Sequence, residues 1–271
     1  MNIYSFFSIL LSFILSYYSL PKVMSMLIRS NIVCENFKSD RIPTSMGIVF
    51  VFIQVITIGI LELLFDFNGN FNTVYLLGFI FMGFIGLIDD LIGEKNIKGL
   101  KGHFKALTNG IITTGALKAI LGFFISLVVS SFISNTYLDF TINSLLIGLF
   151  TNFINLFDLR PGRATKIFIF LFIIFIITSI NKDNYYILFS FFGILIPYIT
   201  FDLKAKAMMG DVGSNILGYT LGIFSTISFN FRIKIVILVL LLIFHIMAER
   251  VSFSKIIDNN RFLKYLDSIG R

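Results

Sequence analysis

Nine apolar runs divide this chain from end to end, at 3–20, 46–65, 74–88, 106–133, 139–157, 165–180, 185–201, 214–230 and 233–248. About 20 apolar residues is the length at which a helix crosses the hydrocarbon of a bilayer, where the backbone must satisfy its own N–H and C=O groups. The runs therefore predict an all-α polytopic membrane protein of about nine transmembrane helices. Composition removes the main alternative. With 56% hydrophobic and 14% charged residues, a soluble domain of 271 residues could not hide its apolar surface. The run 106–133 exceeds one crossing, so part of it is expected as a tilted or interfacial helix. The N-terminus lacks a basic n-region and a small-residue cleavage site, so the first run is expected to be a retained span. Cys34 is the only cysteine, so no intrachain disulfide can form.

Charge predicts the orientation. The breaks 21–45, 89–105, 158–166, 202–212 and 249–271 together carry 18 Lys and Arg. The alternate breaks carry Lys182, Arg232 and Lys234, and Lys118 falls within a span. Basic loops remain in the cytoplasm. The expectation is an outside N-terminus, an integral membrane domain over 1–248 and a basic cytoplasmic tail over 249–271. The net charge of +7 suits anionic lipid or an anionic substrate rather than nucleic acid. Residues 252–271 alternate apolar and basic side chains loosely, the pattern of a segment lying on a membrane surface.

The polar clusters all fall on the side predicted to be cytoplasmic. Met208-Met209-Gly210-Asp211-Val212-Gly213-Ser214-Asn215 places an acid and two glycines where an apolar helix begins. A helix start offers N–H groups and a positive dipole end to an anion, and an Asp there can hold Mg2+ bridging phosphate oxygens. A plain helix cap would use similar residues. Asp89 and Asp90 end an apolar run, and Lys98, Lys101 and Lys105 follow. Two adjacent carboxylates raise one pKa or recruit a cation, and the lysines can meet phosphate as point charges. Asn152, Asn155 and Asp158 recur at a spacing of three, which gives one polar stripe on a helix. Arg160 and Arg163 follow on a turn and could fork onto phosphate oxygens. His103 and His245 lie too far apart in the pattern to make a pair. Nothing resembles a zinc site or a Ser–His–Asp set.

In order and spacing, from about Arg41 to His245, these clusters resemble the polyprenyl-phosphate N-acetylhexosamine-1-phosphate transferases, glycosyltransferase family 4. Asp89-Asp90 is similar to the family's paired aspartates, and Lys98-Gly99-Leu100 with Lys105 to its basic loop. Asn152, Asn155 and Asp158 match its Asn-x-x-Asn-x-x-Asp motif, and Gly210-Asp211-Val212-Gly213-Ser214 its Gly-Asp-x-Gly-Ser motif. The resemblance implies a cytoplasmic-face site in a bacterial plasma membrane. There a polyprenyl phosphate attacks the β-phosphorus of a UDP-activated N-acetylhexosamine and UMP is released, in service of cell wall biogenesis. It implies Asp211 as ligand of Mg2+ (or Mn2+), and Asp89 or Asp90 as base or phosphate-orienting group. The substrate-binding set would be Lys98, Lys105, Asn152, Asn155, Asp158, Arg160 and Arg163. The partners implied are the lipid, the UDP-sugar and the membrane, with a homodimer as an admissible assembly and no nucleic acid.

Three departures from the family pattern stand out. The acid that usually follows the Asn/Asp motif is replaced within Asp158-Leu159-Arg160-Pro161-Gly162, where Pro161 takes its place and Arg163 follows. Met208 stands where an aromatic often precedes the metal Asp. A basic tail from Glu249 to Arg271 replaces the usual His-rich loop and tenth span. An inactive, lipid-phosphate-binding relative is therefore the alternative reading. A transporter would place its polar groups at the bilayer midplane instead.

Overall fold

The computed structural model describes residues 2–65, 69–93, 102 and 106–271. Lys98, Lys105 and His103 lie outside the described residues. Among the described residues the order is α1 (Ile3–Arg29), β1 (Val33–Glu35), β2 (Arg41–Pro43), α2 (Gly47–Phe65), α3 (Gly69–Ile92), α4 (Thr114–Ile133), α5 (Tyr137–Phe157), α6 (Arg163–Thr178), α7 (Tyr185–Leu203), α8 (Gly210–Ser228), α9 (Phe231–Arg250), α10 (Phe253–Asn259) and α11 (Arg261–Ser268).

Each expected apolar run coincides with one of the helices α1 to α9, and the protein is an all-α polytopic membrane protein. Seven of these helices are long and apolar enough to cross a membrane. The other two are α6, with 16 residues, and α8. At 1.5 Å per residue α6 reaches only about 24 Å. The long run 106–133 is resolved into a helical turn at 106–108, a break, and α4. Thr113 makes that break, because its side chain accepts the N–H of Ala116 at 3.1 Å and caps α4.

Helix α8 sits at the centre. Its residues from Val212 to Thr226 are buried on every face, packed by α2, α3, α5, α6 and α7. The helix manages this with small side chains. A methyl added to Gly86 of α3 would overlap the backbone of Asp211 and Val212, so only glycine admits this approach. A second close pair joins α1 to α7. Ser5, Ser8, Ser12 and Ser16 form one buried stripe of α1, and Ser16 donates to the carbonyl of Ile194 at 3.0 Å. Around these contacts Phe50, Phe79, Phe168 and Phe191 interlock edge-on or tilted.

Several polar groups inside the bundle pair with one another, although others, such as the Tyr198 hydroxyl and the Asn215 amide oxygen, are buried without a partner among the described residues. Gln54 donates to the Tyr75 hydroxyl at 3.0 Å, and the Tyr219 hydroxyl to the Tyr75 carbonyl at 3.1 Å. At the end of the bundle formed by the N-termini of α5 and α9, Lys234 meets Asp139 at 2.9 Å and Asn143 at 3.0 Å. The other end gathers the C-termini of α3, α5 and α7 and the N-termini of α2, α4, α6 and α8. There the short hairpin β1–β2 pairs Cys34 with Ile42. The hairpin and the start of α2 are tied to the loop before α8 by three backbone bonds: Met208 N–H to Pro43 at 2.9 Å, Met46 N–H to Met208 at 3.0 Å, and Gly47 N–H to Met209 at 2.9 Å.

Candidate active site

Two acids of that end converge on one ammonium. Asp89 stands in the last turn of α3, Asp211 in the first turn of α8, and Lys118 near the start of α4. Lys118 Nζ lies 3.4 Å from Asp89 Oδ2 and 2.5 Å from Asp211 Oδ2. Asn155 completes the set. With its amide oriented to suit its neighbours, its oxygen accepts from Lys118 Nζ at 3.0 Å, while its nitrogen donates to Asp211 Oδ1 at 2.9 Å and to Ser214 Oγ at 3.0 Å. The Lys118 side chain is only 15% exposed. An ammonium at such a position is costly unless it is paired, and here two carboxylates and a carbonyl oxygen pair it.

Asp90 serves differently from Asp89. Its Oδ1 accepts the N–H of Asp211 at 2.8 Å and its Oδ2 the N–H of Val212 at 3.4 Å. A carboxylate from α3 thus caps α8 and balances the positive end of its dipole. Gly210 has φ +70° and packs against this carboxylate, a place where a side chain would be both strained and excluded. The expectation that the start of α8 offers its N–H groups to an external anion is corrected at these two positions, because Asp90 already fills them.

The same device recurs at α6, built by an acid that the sequence reading passed over. Asp202, in the last turn of α7, accepts the N–H of Gly162 at 2.9 Å through Oδ1 and the Thr165 hydroxyl at 2.6 Å through Oδ2. It is buried and fixes the turn 158–163 that follows α5.

A cavity of about 490 Å³ opens between these helix ends. Asp89, Asp90, Asp158, Asp202 and Asp211 line it together with Thr44, Cys34, Arg160, Pro161 and Met208. Asp158 ends α5 on its wall. Burial pushes the Asp158 carboxyl well above the ordinary carboxylate range, and the neighbouring charges of Asp202, Asp211 and Asp90 push it further. Met208 faces the cavity beside Cys34, sulfur to sulfur at 3.1 Å.

Three expected substrate contacts are placed otherwise. Asn152 is exposed and does not line the cavity; of the stripe only Asp158 lines it, while Asn155 acts through Lys118 and Asp211. Arg163 is turned away from the cavity. Its Nε and Nη2 bind the two oxygens of Asp267 at 3.0 and 2.9 Å, and its Nη1 binds Ser254 at 3.0 Å. Arg160 reaches the cavity rim but forks onto Asp258 at 3.1 and 2.9 Å. Both arginines hold the tail because its acids fold back onto them, a pairing that local spacing could not reveal. Arg271 tightens the same knot, meeting Asp267 with both terminal nitrogens at 2.9 Å and the Pro161 carbonyl at 2.8 Å. Phe253 stacks on Phe157 with centroids 4.7 Å apart.

The role of Lys118 is not drawn from the sequence, which carries a single signal for it. A lone cation in an apolar run calls for a partner. The carboxylate oxygens of Asp89 and Asp211 meet at one cation, the ammonium. Mg2+ characteristically takes one or two carboxylates and fills its shell with water and substrate phosphate, so this pair fits it. Among the described residues no group of three or more His, Cys, Asp or Glu could hold a metal, so a closed protein cage does not fit.

Comparison with known proteins agrees with this geometry. The family model for glycosyl transferase family 4 matches residues 72–229, a span that contains Asp89, Asp90, Lys118, Asn155, Asp158, Asp202 and Asp211. The phospho-N-acetylmuramoyl-pentapeptide-transferase of Staphylococcus haemolyticus is 30% identical over 264 residues, covering 88% of this chain and 78% of its own. That of Staphylococcus saprophyticus is 30% identical over 251 residues, covering 82% and 73%. That of Clostridium novyi is 26% identical over 263 residues, covering 86% and 76%. With an all-α membrane bundle and an acid-lined cavity at the helix ends, the chain belongs to glycosyl transferase family 4, the polyprenyl-phosphate hexosamine-1-phosphate transferases.

Proposed function

We propose that this protein transfers a sugar-1-phosphate from a UDP-activated N-acetylhexosamine to a polyprenyl phosphate at the cytoplasmic membrane face, releasing UMP. The observation that carries the reading is the convergence of Asp89 and Asp211 on one cation beside an acid-lined cavity at a single end of a membrane bundle. Such an end lets a lipid phosphate arrive from the bilayer and a nucleotide from water. An oxygen of the lipid phosphate forms a bond to the sugar-bearing β-phosphorus. The bond from that phosphorus to the bridging oxygen breaks, and the electron pair leaves with UMP. Phosphoryl transfer needs chiefly positioning and charge neutralisation.

The residues divide that work. Lys118 offers a fixed positive charge to a phosphate oxygen. Among the described residues Asp89, unlike Asp90, accepts no backbone N–H on its carboxylate, and it is the group to orient the attacking phosphate. Asp90 positions Asp211 by capping α8. Asp89 and Asp211 would hold Mg2+, which supplies Lewis-acid neutralisation of phosphate charge when bound. Asn155 orients Asp211 and Lys118. Met208 and Cys34 offer polarizable surface to a flat base.

Purified protein given polyprenyl phosphate and a panel of UDP-sugars should form lipid diphosphate-sugar and UMP in equal amounts. The second reading, a binding protein without transfer, is favoured by the Lys118 ammonium standing between the two carboxylates and by the departures at Pro161 and Met208. Lipid binding without product from any donor would establish it.

A further inference from the structure

The tail holds an arrangement that phosphoryl transfer does not use. Helix α11 exposes its apolar residues Phe262, Tyr265 and Leu266, continued by Ile269, and the residue it buries is an acid, Asp267. Spacings of three and four put the four apolar residues on one face. A helix docked on a protein in water turns such a stripe inward.

The position of α11 says what meets that stripe. Lys166, one turn into α6, donates through Nζ to the carbonyls of Leu266 at 3.1 Å and Asp267 at 2.7 Å. Along α6 the face of Lys166 continues through Phe170, Ile173 and Ile177, which are 62%, 50% and 77% exposed. Exposed apolar residues on a membrane helix face lipid, so α11 lies where the lipid-facing side of α6 reaches the membrane boundary. Charge adds to this. The tail acids Asp258 and Asp267 are taken up by Arg160 and Arg163, the second pair buried. The exposed cations Lys255, Arg261 and Lys264 have no carboxylate partner among the described residues.

We propose that α11 is a docking surface for anionic lipid. The stripe Phe262, Tyr265, Leu266 and Ile269 sits at the boundary of headgroups and acyl chains, and Arg261, Lys264 and Lys255 meet lipid phosphates. Because Asp267 of the same helix grips Arg163, lipid on one face steadies the cavity wall through the other. The inference stands independently of the reaction performed in the cavity.

The chain contains no tryptophan, so Phe262→Trp in the full-length protein gives a single emitter. The variant is reconstituted in phosphatidylcholine vesicles, with and without phosphatidylglycerol, each with plain or brominated acyl chains. The expected result is blue-shifted emission that brominated chains quench, more strongly when phosphatidylglycerol is present. Adding Lys264→Glu should weaken the phosphatidylglycerol-dependent part by roughly fivefold or more, the effect of one cation near an anionic surface. Tyr265→Trp repeats the measurement one turn on, so that a misfolded first variant does not decide the matter. Water-like emission unquenched in every vesicle overturns the proposal. Equal quenching in both lipids overturns the anionic preference. A shielded, unquenched indole on a dimeric protein assigns the stripe to a second copy and overturns it as well.

Discussion

The carboxylate of Asp90 receives the backbone N–H of Asp211 at 2.8 Å, so one acid of the adjacent pair holds the helix that presents the other acid of the site. The two neighbours Asp89 and Asp90 should therefore fail in different ways. Asp90→Ala removes a cap and should lower stability by about 1 kcal/mol in addition to reducing transfer. Asp89→Asn should leave the thermal midpoint unchanged and abolish transfer. Parallel melting and product assays in detergent check both, and equal melting losses in the two variants would show that Asp90 has no capping role.

Lys118→Met should lower transfer by about 100-fold or more, the usual cost of losing a preorganised group that neutralises charge in the transition state. It should also tighten Mn2+ binding, because the ammonium no longer competes for Asp89 and Asp211. Titration by electron paramagnetic resonance reads the metal arm without requiring turnover. Looser Mn2+ binding in Lys118→Met would contradict the competition.

EDTA should silence the wild-type protein, and Mg2+ or Mn2+ should restore it. Asp211→Asn should stay silent at any metal concentration, with its insertion and melting behaviour intact. Full transfer by Asp211→Asn would remove this residue from the metal site.

Asp267→Ala strands the Arg163 guanidinium and should cost about 3 kcal/mol, as when one partner of a buried pair is removed. Its pH dependence has a defined sign. Burial works to raise the Asp267 carboxyl, but the hydrogen bonds and charges of Arg163 and Arg271 outweigh it, leaving it below the ordinary carboxylate range. A folded-state value below the unfolded one means that the stabilisation is complete above the unfolded value and is lost as pH falls through the folded one. The gap in melting temperature between wild type and Asp267→Asn should therefore be constant around neutrality and close only in acid below the ordinary range. A gap that closes near neutrality would contradict the pairing.

Met208→Ala should raise the KM for the nucleotide donor, whereas Arg163→Ala should act on stability and tail docking with a smaller change in donor KM. Steady-state kinetics beside limited proteolysis of the tail separates the two effects.

Much of the bundle was legible because membrane helices must satisfy their backbones within one segment, so apolar run length marks them directly. The motif acids were legible too, since Asp89, Asp158 and Asp211 do line one cavity. What escaped was tertiary. Lys118 read as a stray charge in a span, and its partners lie 29 and 93 residues away. Asp202 read as a loop acid because capping a different helix leaves no local pattern. Arg163 looked like a phosphate ligand until Asp267, 104 residues on, was seen to take its guanidinium. The centrality of α8 was hidden for a physical reason: a helix wrapped in other helices favours small side chains over apolar ones, and so reads as weakly hydropathic.

Capping in trans also bears on how the protein is made. A membrane chain enters the bilayer in order, N-terminus first. Helix α8 finds its cap waiting, because Asp90 precedes Asp211 by 121 residues. Helix α6 does not, because Gly162 waits for Asp202, 40 residues later. Until the end of α7 is in place, the N–H of Gly162 lacks the carboxylate that accepts it in the folded protein. The wall of the cavity is thus set late in biogenesis, after the strand of chain that forms it has already been delivered to the membrane.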